Sequence, residues 1–197
     1  YFRTLVSSPN QYILRLTVVA GFAGGGMYVH NATRELVKGS PFIFLNATRE
    51  AEFLINKDRR KPIDLQVDYF FIEADHHAYL HLDKVLRDAG HGDRIGNTIQ
   101  LRHAKFQDEA DGVINFIKHK SPKNGRSIFA LDQYGYKEVP TPLIRKIFSQ
   151  LPSAEVILTF GFDSFLNYAS DGKLTQALLD DIGIPDSSTD IGIVADI

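Results

Sequence analysis

Arg15-Leu16-Thr17-Val18-Val19-Ala20-Gly21-Phe22-Ala23-Gly24-Gly25-Gly26 is the stretch on which the fold turns. A short run of β-branched and aliphatic residues enters a cluster of glycines, the pattern of a buried strand feeding a sharp turn. Glycine has no Cβ, so backbone there approaches a ligand closely, and the N–H groups that follow can meet polar or anionic groups. A tight turn without a ligand needs some of the same glycines, so both readings stand on this stretch alone. The Gly-Lys-Ser/Thr ending of a phosphate loop is absent, which argues against an NTPase.

Outward from there, short apolar runs alternate with amphipathic stretches. The spacing predicts strands near 16–20, 68–72, 98–102, 127–131 and 155–160. Between them it predicts helices over about Phe42 to Asn56, His76 to Arg87, Asp108 to Lys118 and Pro142 to Gln150, with weaker helical stretches at 163–168 and 174–181. Ser40 reads as a helix N-cap with Pro41 at the first helical position, and Met27 to Lys38 as a polar connection. Strands alternating with helices predict one α/β domain over residues 1–197: a Rossmann-like, mostly parallel sheet with helices on both faces.

Composition narrows the function classes. The 197 residues are 44% apolar and 23% charged, enough for a sizeable core and unlike a disordered or collagenous chain. With 22 basic against 24 acidic residues the net charge is −2, so no global field draws the chain to nucleic acid or anionic lipid. A local basic stretch, Lys118, His119, Lys120, Lys123 and Arg126, reads either as a solvated loop or as a contact to a nucleic-acid backbone. The absence of cysteine excludes disulfides, thiolate zinc sites and thiol nucleophiles. No apolar run nears the ~18 residues of a membrane span, and no signal-peptide pattern opens the chain. The expectation is a cytoplasmic protein without membrane association. Its start at Tyr1 suits an excerpt of a longer protein.

In an open α/β sheet, ligands sit outside the carboxyl ends of the strands. Two further features fall there. Glu73 ends the second predicted strand, where a carboxylate can accept both ribose hydroxyls of a nucleoside cofactor. It lies about 50 residues beyond Gly21 rather than the usual ~20 past such glycines, so spacing alone favours a solvated acid. Asp132-Gln133-Tyr134-Gly135-Tyr136 follows the 127–131 run. An acid there can accept from a substrate amine while an aromatic stacks beside it; the alternative is an ordinary turn. His77 and His81 are i, i+4 neighbours, yet no Glu and no third ligand complete a zinc motif, so no metal is expected. No Gly-x-Ser-x-Gly elbow supports a serine hydrolase.

Taken in order, Gly21-Phe22-Ala23-Gly24-Gly25-Gly26, Gly39-Ser40-Pro41, Phe71-Ile72-Glu73-Ala74-Asp75, Asp132-Gln133-Tyr134-Gly135-Tyr136 and the strand from Ala154 to Phe160 resemble the three-Cys-motif partner (TcmP) family. The resemblance covers roughly residues 15 to 170. Members of that family look like class I S-adenosylmethionine (SAM)-dependent methyltransferases, with an insertion that accounts for the long gap before Glu73. The resemblance implies a SAM pocket lined by Gly21, Phe22, Ala23 and Gly24, with Glu73 on the ribose. It also implies that Asp132 and Tyr134 face a methyl acceptor, an amine on a nucleic-acid base or a protein, and that the chain has a protein partner. Two positions depart from the family pattern. Ala20 stands where an Asp usually precedes the glycines, and Gln133 where a proline follows Asp132. A catalytically silent interaction module within a multi-protein defence or modification system is the alternative that these departures favour. On the enzyme reading, Glu73→Ala weakens SAM binding about 10-fold and leaves the melting temperature nearly unchanged.

Overall fold

From Leu16 onward every residue of β1 (Ile13–Ala20) is buried, the signature of a strand covered on both faces. The computed structural model describes residues 11–123, 125–134 and 137–159, together with Leu5. After β1 the elements run β2 (Met27–Val29), β3 (Leu36–Lys38), α1 (Ser40–Asn56), β4 (Asp64–Glu73), α2 (His76–Leu86), β5 (Ile99–His103), α3 (Phe106–Lys120), β6 (Ser127–Asp132), α4 (Thr141–Gln150) and β7 (Ala154–Thr159). Five strands form one sheet in the order β5-β4-β1-β6-β7, and every pairing in it is parallel. All five predicted strands therefore lie side by side.

Parallel neighbours need crossovers, and the helices supply them. Side chains alternate across each strand, so the inner strands β1, β4 and β6 feed two cores. Val19, Phe70, Ile72, Phe129 and Leu131 meet α3 and α4 through residues such as Val113, Ile117 and Ile147. On the opposite face Val18, Ala20, Tyr69, Phe71 and Ile99 meet Phe42 and Leu45 of α1 and Leu82 and Leu86 of α2. The chain builds outward from β1 through β4 to β5, then returns to the other side of β1 as β6. Strand order reverses between β1 and β6, which makes the carboxyl ends of those strands the switch point.

Two local expectations are corrected. Met27 to Lys38 is not a plain connection: it folds as an antiparallel hairpin of β2 and β3, apart from the main sheet. Three-residue strands are too short for alternation to reveal them. The N-cap of α1 is Gly39 rather than Ser40, and no side chain caps that end. Gly39 donates its N–H to the Gly26 carbonyl at 2.7 Å, and a Cβ there would lie 2.7 Å from Cε2 of Tyr28. That close approach demands glycine and sets the helix start one residue early. Beyond α2 the chain widens into a π turn (Arg87–His91), kinked at Gly90 with φ 83°, and then tightens into a 3-10 turn (Gly92–Arg94). The helical expectations at 163–168 and 174–181 lie outside the described residues. Among the described residues, no helix is long and apolar enough to cross a membrane.

Candidate functional site

The glycine loop leaves β1 at the switch point and is held there by its own backbone. Gly21 donates its N–H to the Ala130 carbonyl at 3.0 Å, carrying the β1–β6 ladder one residue further. Ala23 donates to Ile72 at 2.9 Å, tying the loop to β4 on the other side. A Cβ on Gly21 would lie 2.7 Å from Cδ2 of Leu131 and 3.0 Å from the Phe106 ring, so close packing demands that glycine. Phe22 packs toward Phe106, with ring centroids 6.5 Å apart, and Ala23 is buried in the core beneath the loop. Gly24 sits at φ +62°, the left-handed region that glycine enters freely.

Glu73 closes this arrangement from 49 residues away. Its Oε2 accepts the Gly24 N–H at 2.7 Å, and its Oε1 accepts the Asp75 N–H at 2.8 Å. Asp75 is itself the N-cap of α2, its carboxylate accepting from the Ala78 N–H at 2.7 Å. That bond, reinforced by the nearby His77 and His76, holds the Asp75 carboxyl below its usual range. One carboxylate thus straps the glycine loop to the start of α2. Each of its oxygens makes one of these bonds and has a second lone pair for a further donor. The long sequence gap is spanned because α1 and the hairpin loop out between β1 and β4.

Tyr28, which sequence reasoning did not single out, and His81, which it weighed only as a zinc ligand, complete the loop's surroundings. The Tyr28 hydroxyl, from β2, lies where a Cβ on Gly24 would stand, at 1.8 Å from that position. His81 of α2 donates from Nδ1 to the Gly25 carbonyl at 2.7 Å, fixing the tautomer. His81 and Gly25 are 56 residues apart, and although Tyr28 lies only four residues beyond Gly24, nothing in the local spacing announces either contact.

Across the switch point the loop after β6 is built differently. Asp132 is exposed at the strand end, two residues past the Ala130 carbonyl that Gly21 contacts, about 7 Å along the strand. Tyr134 is 99% exposed. Gln133 between them is only 4% exposed, and its Oε1 accepts the Val139 N–H at 2.9 Å. Its Nε2 is buried with no partner among the described residues. The Asp132-to-Tyr134 segment therefore turns its glutamine inward and its acid and aromatic outward. Gly135 and Tyr136 lie outside the described residues.

The remaining candidates separate from this site. Among the described residues no three His, Asp or Glu side chains are grouped to hold a metal ion. His76 and Tyr79 instead face the His103 ring at 5.0 and 5.1 Å, and His103 Nε2 lies 3.2 Å from the Ala74 carbonyl. The basic stretch sits at the opposite end of the sheet, where strands begin. There Lys120 pairs with the buried Asp68 at 3.0 Å and Lys118 donates to Gln150, while Arg15, Lys123 and Arg126 line a cavity of about 530 Å³.

No family model matches this chain, and no curated protein matches it either.

Proposed function

We propose that this chain is a SAM-dependent methyltransferase-like protein of the TcmP type, acting on an amine of a nucleic-acid base or a protein. The observation that carries the reading is the bond between Glu73 and Gly24: the acid that ends β4 reaches the glycine loop that follows β1, beside the switch point. The residues suit the cofactor. Glu73 keeps lone pairs for two ribose hydroxyls, and Gly24 at φ +62° holds the loop in a turn that a side chain would strain. Gly21, Phe22 and Ala23 would line the cofactor's side of the same loop.

When bound, SAM supplies a methyl group on a sulfonium, already activated as an electrophile. The protein's task is then chiefly positioning. Asp132 accepts from the acceptor amine and orients its lone pair, and Tyr134 stacks beside the planar group that bears it. Both are exposed at the strand end, open to a large substrate such as a nucleic-acid base or a protein side chain. A cytoplasmic location and a protein partner belong to the same proposal. Calorimetry with SAM and its demethylated product tests it: binding of either, lost about 10-fold or more in Glu73→Ala, is the expected result. No binding of either at millimolar ligand overturns it.

A second reading has its own observation. The Tyr28 hydroxyl stands over Gly24, and the hairpin that carries it exposes Val29, Leu36 and Val37. An interaction module that uses this Rossmann-like scaffold without catalysis accounts for these features, as it does for Ala20 and Gln133. A stable protein partner captured with no methyl transfer, and no SAM binding, decides for it.

A further inference from the structure

Away from the glycine loop, on the face covered by α1 and α2, a cavity of about 270 Å³ opens over the first half of β4. Its floor is the row Leu65, Val67 and Tyr69, alternate residues that share one face of the strand. One wall is α1; the other is the π and 3-10 turns that follow α2. Tyr69 lies four residues before Glu73, about 13 Å along the strand, so this cavity is separate from the proposed cofactor site.

Its chemistry is cationic. Arg94 stacks over the Tyr69 ring at 5.3 Å, donates from Nε to Thr98 Oγ1 at 3.2 Å, and sets Nη1 at 3.4 Å from His91 Nδ1. Those contacts fix the guanidinium in place without neutralising it. Arg49 reaches the same cavity from α1. Neither Arg49 nor Arg94 makes an ion pair with a carboxylate among the described residues. Burial first, and then the charges of Arg94 and Arg49, press the His91 pKa below its ordinary value. The floor offers no competing donor. Tyr69 and Thr48 are both buried and hydrogen-bond each other, and the Thr48 hydroxyl donates to the Phe44 carbonyl. The one acid lining the cavity is Glu52, exposed on α1 one turn beyond Arg49.

We infer that this cavity binds the phosphate group of a small phosphomonoester, held between the guanidinium groups of Arg49 and Arg94. Two guanidinium groups from opposite walls, with an imidazole beside Arg94, suit a dianion that accepts from several directions. A planar carboxylate is satisfied by a single guanidinium fork. The volume takes a phosphate and a compact ester group.

Calorimetry at fixed ionic strength, with inorganic phosphate, glycerol phosphate and acetate as the probes, tests the inference. Phosphate and glycerol phosphate bind the wild-type chain in the millimolar range or tighter, and acetate binds about 10-fold more weakly. Arg49→Gln and Arg94→Gln each weaken phosphate about 10-fold, whereas Glu52→Gln tightens it by removing a like charge. Arg49 is exposed on α1, so its variant keeps the fold and decides the matter even where Arg94→Gln unfolds. Lys123→Gln, in the loop that follows α3 and outside the cavity's lining, leaves binding unchanged. Absent phosphate binding, binding unaltered in Arg49→Gln, or loss of binding in Lys123→Gln overturns the site. Acetate binding as tightly as phosphate overturns the assignment to phosphate.

Discussion

The loops that leave β1 and β6 sit side by side at one end of the sheet, yet they are built on opposite plans. The β1 loop is internally satisfied: Gly21, Ala23 and Gly24 each donate to a specific acceptor, on β6, β4 and Glu73 in turn. Among the described residues, the β6 loop is strapped from Gln133 to Val139 and by Gln107 to the Lys137 and Glu138 carbonyls, and it turns Asp132 and Tyr134 to solvent. A rigid loop suits a cofactor of fixed shape, where preorganisation removes an ordering penalty on binding. An open loop suits a substrate that is itself large and structured. The contrast also says where mutations will be felt as stability and where they will be felt only as function.

The largest effect is expected at Gly21. Gly21→Ala places a Cβ against Leu131 and Phe106 in a packed core, and overpacking of this kind destabilises by about 2 kcal/mol. Thermal unfolding should move down by about 4–8 °C. An unchanged melting temperature would mean that the two loops are equally loose, and the contrast would fail.

Glu73→Ala comes next. The expectation that its loss leaves the fold untouched is revised, because the carboxylate joins Gly24 to the cap of α2. Two charge-assisted bonds at a half-buried site are together worth about 1.5 kcal/mol, so denaturation should detect a loss beside any loss of SAM binding. Hydrogen exchange at Gly24 and Asp75 is the sharper measurement, since both amides should lose protection together.

Gln133→Leu is a smaller perturbation. It leaves the Val139 N–H without its acceptor, at about 1 kcal/mol, but also removes a buried amide nitrogen that has no partner. The two changes oppose each other, and the net shift in a denaturant midpoint should stay below that of Glu73→Ala. The smallest effect on stability belongs to Tyr134→Ala. At 99% exposure the ring packs on nothing, so the melting temperature stays put while acceptor methylation, on the proposed reading, falls. A drop in melting temperature there would show the ring to be structural.

Much of the architecture was legible in the chain itself. The runs at 16–20, 68–72, 98–102, 127–131 and 155–160 all became strands of one sheet, with ends displaced by a few residues. The helices between them began and ended close to where apolar spacing put them. The hairpin of β2 and β3 escaped because three-residue strands carry no period. The true cap of α1 escaped because Gly39 is selected by the Tyr28 ring, not by a hydrogen bond of its own side chain. In the candidate site, Glu73 and the glycines were visible as residue types at strand ends, but their bond to each other was not.

What the sequence determined by itself is therefore the set of elements, because strand and helix are short-range outcomes of steric preference and apolar periodicity. Only the tertiary structure decided the order β5-β4-β1-β6-β7, the reach of Glu73 across 49 residues to Gly24, the inward turn of Gln133 and the meeting of Arg49 with Arg94. Those depend on which faces pack together, and apart from Gln133 and Val139, six residues apart, no local window of the chain contains both partners.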